Sequence, residues 1–254
     1  SIDSGATLTV TGQDGRFTAS KMTIDGTLVS TDYGRVTVTD LIVMGTFTVE
    51  PSTTENGAGS ATITNLYVGT SDKTEGNAAA AVNGTFTPSK AVVAAAATVD
   101  EKIVENLRNS TEIYVEGELY ATAYASASNT YIDLSKVAVE NADIVGWAET
   151  EGGETLLNGA TSFSIGTYDD LYAIIDYNIY NVYVVAGNGI GTIAIDNIVL
   201  VKGAGEGANY YTVLGGLKAG THTITYTLQT GYEGISQITV NGTLQTGNTF
   251  ECSG

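Results

Sequence analysis

Polar and apolar side chains alternate with a period of two through the first third of the chain. The pattern then returns at a fixed interval. Ala6-Thr7-Leu8-Thr9-Val10, Arg35-Val36-Thr37-Val38-Thr39 and Gly45-Thr46-Phe47-Thr48-Val49 each place alternate side chains on opposite faces. That period belongs to β-strands, not to helices. Asp14-Gly15, Asp25-Gly26, Asp32-Tyr33-Gly34 and Asn56-Gly57 separate the runs. These residue types tolerate the positive φ of tight turns. The segment Gly15–Leu28 aligns with Gly34–Phe47, an offset of 19 residues, and Gly59–Thr70 is a weaker third copy. A Gly-Thr-apolar step recurs at Gly26, Gly45, Gly84 and Gly242. Short strands repeating at about 20 residues fit a β-solenoid, in which stacked coils share one continuous core. A meander of hairpins in a β-sandwich is the competing arrangement for residues 1–150.

Composition supports a folded β protein. There are 15 Tyr, and Thr, Val and Ile are abundant, the residues that suit a pleated, half-buried surface. An acidic disordered chain lacks them. Between 91 and 109 the pattern breaks at the Ala91–Ala97 run. One short helix is expected near 100–109, with Asp100 as its cap and Ile103, Val104 and Leu107 on one side. Acidic residues and Gly cluster at Glu149–Gly153, which suggests a boundary near 150. Residues 151–203 read as a β-rich continuation. Residues 204–254 hold about four short strands, fewer than the roughly seven of an immunoglobulin-like sandwich. Either residues before 204 supply the rest or this module leaves an edge open. The expected class is all-β: a solenoid or sandwich, then a small immunoglobulin-like sandwich module.

The balance of 10 Lys+Arg against 28 Asp+Glu gives a formal charge of −18. Nucleic acid binding needs clustered basic residues, so it is excluded, and docking on anionic lipid is disfavoured. No apolar run approaches the ~20 residues of a membrane-spanning helix. The chain begins at Ser1 and not Met, as expected if a leader has been removed.

The candidate chemistry is sparse. One Cys, Cys252, cannot form an internal disulfide, and one His, His222, removes most histidine-based chemistry. Gly187-x-Gly189-x-Gly191 has neither a following helix nor a Lys, so it reads as a turn. Asp169-Asp170, Glu116/Glu118 and Glu149/Glu151/Glu154 pair carboxylates that would suit glycoside hydrolysis or Ca²⁺. With 28 acidic residues, a solvated face is the default reading. Trp147 and the Tyr-rich stretch 171–183 are a sugar-stacking platform or ordinary core. No catalytic residue, cofactor site or metal site is assigned, and the chain is not expected to be an enzyme. Asn83, Asn109 and Asn241 each begin an Asn-x-Ser/Thr acceptor for glycosylation.

Ile2-Asp3-Ser4-Gly5-Ala6-Thr7-Leu8-Thr9-Val10 and Ile24-Asp25-Gly26-Thr27-Leu28 resemble the repeated coils of secreted, adhesin-like surface proteins of archaea and bacteria. Leu217–Ile224 and Val240–Thr243 are similar to the immunoglobulin-like repeats of such proteins. The likeness covers residues 1–90 and 205–254. It implies an extracellular structural or adhesive role, with no catalytic residues to carry over. The expected protein is a surface-filament subunit or adhesin that self-associates through strand edges, with glycans or a cell surface as further partners. In a strand-exchange version, Ile2, Ala6, Leu8 and Val10 are the side chains inserted into a neighbour. The alternative is a solenoid that binds or degrades polysaccharide. Only Arg16, Arg35 and Arg108 are available for a lyase.

Overall fold

The computed structural model describes residues 1–53, 57–156, 160–187, 189–202, 209–212, 216–233 and 237–252. The chain divides into two compact units. The first takes Ser1–Val139 with Ile144–Ile175, and the second Glu140–Asp143 with Asp176–Gly254.

The first unit begins as a β-solenoid. Four-residue strands β1 (Thr7–Val10), β3 (Thr27–Ser30) and β5 (Thr46–Val49) alternate with nine-residue strands β2 (Arg16–Ile24), β4 (Arg35–Val43) and β6 (Ser60–Val68). Strands β7 (Ala81–Asn83), β8 (Lys90–Ala94) and β9 (Thr98–Val99) continue the winding. The short strands form an all-parallel sheet in the order β1-β3-β5-β7-β9, and β2, β4, β6 and β8 pair in parallel beside it. Side chains stack in register from coil to coil. Leu28, Phe47 and Val82 form one ladder and Met22, Leu41, Leu66 and Ala91 another. Both ladders lie in the core between the two sheets. The sandwich alternative for this segment is thereby replaced: each coil passes to the next in parallel, which hairpins cannot do.

Glycine at the coil corners is a steric requirement. A Cβ on Gly45 would stand 2.1 Å from the Gly26 carbonyl oxygen, and one on Gly26 would stand 2.3 Å from that of Ala6. At Gly26, Gly45 and Gly84 the Gly-Thr-apolar step therefore marks where successive coils touch backbone to backbone.

The pattern does not break at residue 91. Lys90–Ala94 is the fourth rung, with Ala91 paired to Leu66 and Val93 to Val68. Alanine is a poor strand former, but pairing with a preformed rung outweighs intrinsic preference. Helix α1 (Glu101–Val104) follows, with the Asp100 carboxylate accepting from the Lys102 N–H. It delivers Ile103, and the following residues Leu107, into the solenoid core.

Beyond α1 the long sheet changes direction. Strands β10 (Asn109–Val115) and β11 (Glu118–Ala125) pair antiparallel, and β11 lies antiparallel to β8. Strands β12 (Tyr131–Asp133), β13 (Ala142–Ala148), β14 (Ser162–Ser164) and β15 (Asp170–Tyr177) follow. The finished sheet has eight strands in the order β13-β15-β10-β11-β8-β6-β4-β2. The antiparallel pair β12–β14 and its flanks carry Ile132, Leu134, Val137, Phe163 and Ile165 into a second core. From the sheet this core takes Ile42, Tyr67, Val92 and Ala121, Ala123 and Ala125. That explains the run of three buried residues ending β4 (Leu41-Ile42-Val43) and β6 (Leu66-Tyr67-Val68). A strand end covered on both faces loses its alternation.

The second unit is antiparallel. Tyr183–Ala186 pairs with both Asn209–Thr212 and Ile238–Val240. A second sheet pairs Ile190–Ile195 with Ile198–Val199 and Gly220–Leu228, and the last of these with Thr249–Cys252. Val184, Ala186, Val240, Ile193, Ile195, Ile224 and Phe250 from the two sheets share one core. Residues before 204 thus supply the missing strands. The chain divides at 175/176 rather than at 203, because Tyr183–Ala186 is the central strand of its sheet.

Candidate functional site: a sheet edge and a polar rank

The segment holding Ile2, Ala6, Leu8 and Val10 forms the first rung of its own solenoid. Ile2 bridges to Ile24, β1 pairs in register with β3, and Ile2 and Val10 are each 7% exposed. The Ala6 and Val10 carbonyls accept from the Thr27 and Thr31 N–H groups. Backbone groups alternate in direction along a parallel strand, so those of Thr7 and Thr9 face away from β3. β1 is the end strand of its sheet. Its four residues, Thr-Leu-Thr-Val, include neither Pro nor a charge, the devices that usually blunt an edge.

The three acceptor asparagines occupy different surroundings. Asn83 is exposed at the end of β7. Asn109 is partly buried, and its Nδ2 donates to the Ala125 carbonyl at 3.2 Å. Asn241 is exposed at φ 48° in the turn Asn241-Gly242, with its Oδ1 accepting from the Tyr183 N–H at 3.0 Å.

Trp147 is 1% exposed and meets Phe163 edge-on, with centroids 6.5 Å apart, so it is core and not a sugar platform. In the Tyr-rich stretch, Tyr172 stacks on Tyr114 at 4.6 Å and 9°. Glu112 pairs with Asp170 in register and accepts the Tyr114 hydroxyl. This hydrogen bond, foremost, holds the Tyr114 pKa up to about 12. Cys252 is 5% exposed, and burial pushes its thiol up. Asn188, inside the Gly187–Gly191 turn, lies outside the described residues. Among the described residues, no group of three or more His, Cys, Asp and Glu could hold a metal ion, and no helix is long and apolar enough to cross a membrane.

His222 is held tightly. Its Nδ1 lies 2.6 Å from Asp196 Oδ2 and its Nε2 lies 2.9 Å from the Lys218 carbonyl. Both ring nitrogens therefore face acceptors, which only the protonated ring satisfies. Asp196 Oδ1 also accepts from the Thr223 N–H at 2.8 Å. Asp196 and Asn197 adopt φ 47° and 69°, closing the turn between Ile195 and Ile198.

A polar rank across the long sheet was not singled out from the sequence. In β2 and β4 the inward alternation skips a step: Ala19 and Met22 both pack on the core, as do Val38 and Leu41. The residues at each bend, Ser20-Lys21, Thr39-Asp40 and Thr64-Asn65, are not in that core. Lys21, Asp40, Asn65 and Lys90 then follow one another in register across β2, β4, β6 and β8. Asn65 Nδ2 donates to Asp40 Oδ1 at 2.7 Å, and Lys21 Nζ donates to Asp72 Oδ2 at 2.8 Å. Lys90 Nζ lies 5.1 Å from the Tyr67 ring centroid and donates to the Tyr131 carbonyl at 3.3 Å. Burial pulls the Lys90 ammonium below its ordinary value, against the opposing charges of Asp40, Asp72 and Asp133. Burial, with Asp40 and Asp72, raises Tyr67 to about 12. The 19-residue alignment does place Lys21 on Asp40. The departure from strict alternation at that position was the available signal.

No protein-family model matches the chain, and no curated protein or solved structure matches it.

Proposed function

We propose that this is an extracellular structural protein, the subunit of a surface filament, whose copies associate through β-strand edges. The observation that supports this reading is the unprotected outer edge of β1, where the Thr7 and Thr9 backbone groups point away from the sheet. Such an edge is a template for a further strand. The first rung is already seated on β3, so association proceeds by adding to this edge, without stripping Ile2–Val10 out of the core. Backbone hydrogen bonds along this edge must overcome the repulsion of a chain with charge −18. Association therefore strengthens as salt rises.

The test is a proline at Thr9. Its N–H points outward, so Thr9→Pro removes an edge donor while leaving the β1–β3 ladder intact. Sedimentation and negative-stain electron microscopy at matched concentration should show filaments for the parent chain and monomers for Thr9→Pro. Circular dichroism should be the same for both. A parent chain that stays monomeric, or a proline variant that assembles equally well, overturns the proposal.

A further inference from the structure

The polar rank places three groups in the order that an amide cross-link needs. Asn65 stands between Asp40 on one neighbouring strand and Lys90 on the other, all three in register and on the same face of the long sheet. Adjacent strands lie about 4.8 Å apart, and the lysine stem is long enough to cross one such step. The Asp40 carboxylate already touches the amide nitrogen that would leave, at 2.7 Å. The Lys90 ammonium is partly buried, and that loss of water favours the uncharged amine, against the attraction of the Tyr67 ring for the cation.

We propose that Lys90 Nζ condenses with the side-chain amide of Asn65 to form an intramolecular amide bond between β8 and β6. Lys90 Nζ gives up a proton and attacks Asn65 Cγ, so that both nitrogens are held on one tetrahedral carbon. Asp40 takes the proton that Nζ sheds and delivers it to Nδ2. The Cγ–Nδ2 bond breaks, ammonia departs, and the Asp40 carboxylate is regenerated. Nζ sheds its second proton to the departing ammonia as the amide forms, so a lysine ammonium and a carboxamide become a secondary amide and an ammonium ion, with no oxidant or other co-reactant. The Tyr131 carbonyl gives up its hydrogen bond from Nζ, and the rank loses one positive charge.

The product ties the third and fourth coils together covalently. It closes the chain between Asn65 and Lys90, which includes the loop carrying Asp72 and the strand β7. Such a bond would resist the forced unwinding that a solenoid in a filament experiences. The chemistry, however, stands independently of the filament reading.

Intact-mass spectrometry of the full chain decides the matter, together with peptide mapping after proteolysis. The expected result is a species lighter by one ammonia, with a branched peptide joining the fragments that contain residues 65 and 90. Lys90→Arg should restore the full mass and leave the circular dichroism unchanged. Asp40→Ala should slow or abolish the loss. Full mass in the parent chain, with separate linear peptides for 65 and 90, overturns the proposal. So does an ammonia deficit that persists in Lys90→Arg, which would place it at an Asn-Gly succinimide instead.

Discussion

Phe47→Ala tests whether stacked rungs are what hold the first unit together. Phe47 is fully buried between Leu28 and Val82 in the ladder, and its ring lies 5.6 Å from that of Phe86 at 56°. A phenylalanine removes about 150–250 Å² from water. At ~25 cal/mol per Å² that burial contributes about 4–6 kcal/mol. Alanine keeps part of this, while the cavity left between two fixed rungs adds a cost, for a net loss of about 3–5 kcal/mol. Parallel coils cannot slide together to fill the hole without breaking register, which favours the upper end. For a unit of this size, the midpoint should drop by roughly 6–20 °C. The single tryptophan, Trp147, is buried in the second core of the same unit and reports its unfolding by fluorescence. Urea titration should show a lower midpoint with an unchanged slope. Thr46→Ala, one residue away on the outer side of the rung, should fall within about 0.5 kcal/mol of the parent. A Phe47→Ala cost below about 1 kcal/mol, or equal to that of Thr46→Ala, would refute the stacked-ladder account.

Gly45→Ala should destabilise the first unit by about 1–3 kcal/mol or more, because its Cβ would meet the Gly26 carbonyl at 2.1 Å; the same urea titration measures it. The second unit should show a pH window. Burial opposes charge on His222, yet hydrogen bonds to Asp196 and the Lys218 carbonyl, with the charges of Asp196 and Glu251, raise its pKa overall. The Thr223 N–H and then His222 lower that of Asp196. The pair's contribution is therefore complete between the ordinary carboxylate and imidazole values, about 4 and 6.5. It declines as pH rises through the raised His222 value, and again as pH falls through the lowered Asp196 value. Thermal melts taken upward in pH from the ordinary imidazole value of about 6.5 should show the first decline, and His222→Phe should flatten it. Expressed in a glycosylating host, the chain should carry glycan at the exposed Asn83 and Asn241 more fully than at Asn109, whose amide nitrogen is bonded to the sheet. Glycopeptide mapping reads this out, and preferential occupancy of Asn109 would contradict the geometry.

Much of the first unit was legible because its information is local. Alternation by twos marked the strands, and Asp-Gly and Gly-Thr steps marked the corners. The 19-residue offset between Gly15 and Gly34 became the pairing of Arg16 with Arg35. The Asp100 cap also formed as read, although α1 ends after one turn at Val104. The sequence could not separate solenoid from sandwich, since both bury alternate residues of short strands. That choice rests on whether successive strands run parallel.

Tertiary structure alone decided the rest. Ala91–Ala94 is a strand because β6 was there to pair with it. Ile42, Tyr67 and Val92 are buried because residues far along the chain return to cover them. The second unit recruits strands from before residue 204, since antiparallel partners need not be neighbours in sequence. The Lys21–Asp40–Asn65–Lys90 rank is the clearest case. Its members are separated by 19 or 25 residues, and each alone reads as an ordinary surface residue. Only coil-on-coil register brings a carboxylate, an amide and an amine side by side. Periodicity is a property of the chain, whereas the chemistry of that rank is a property of the stack.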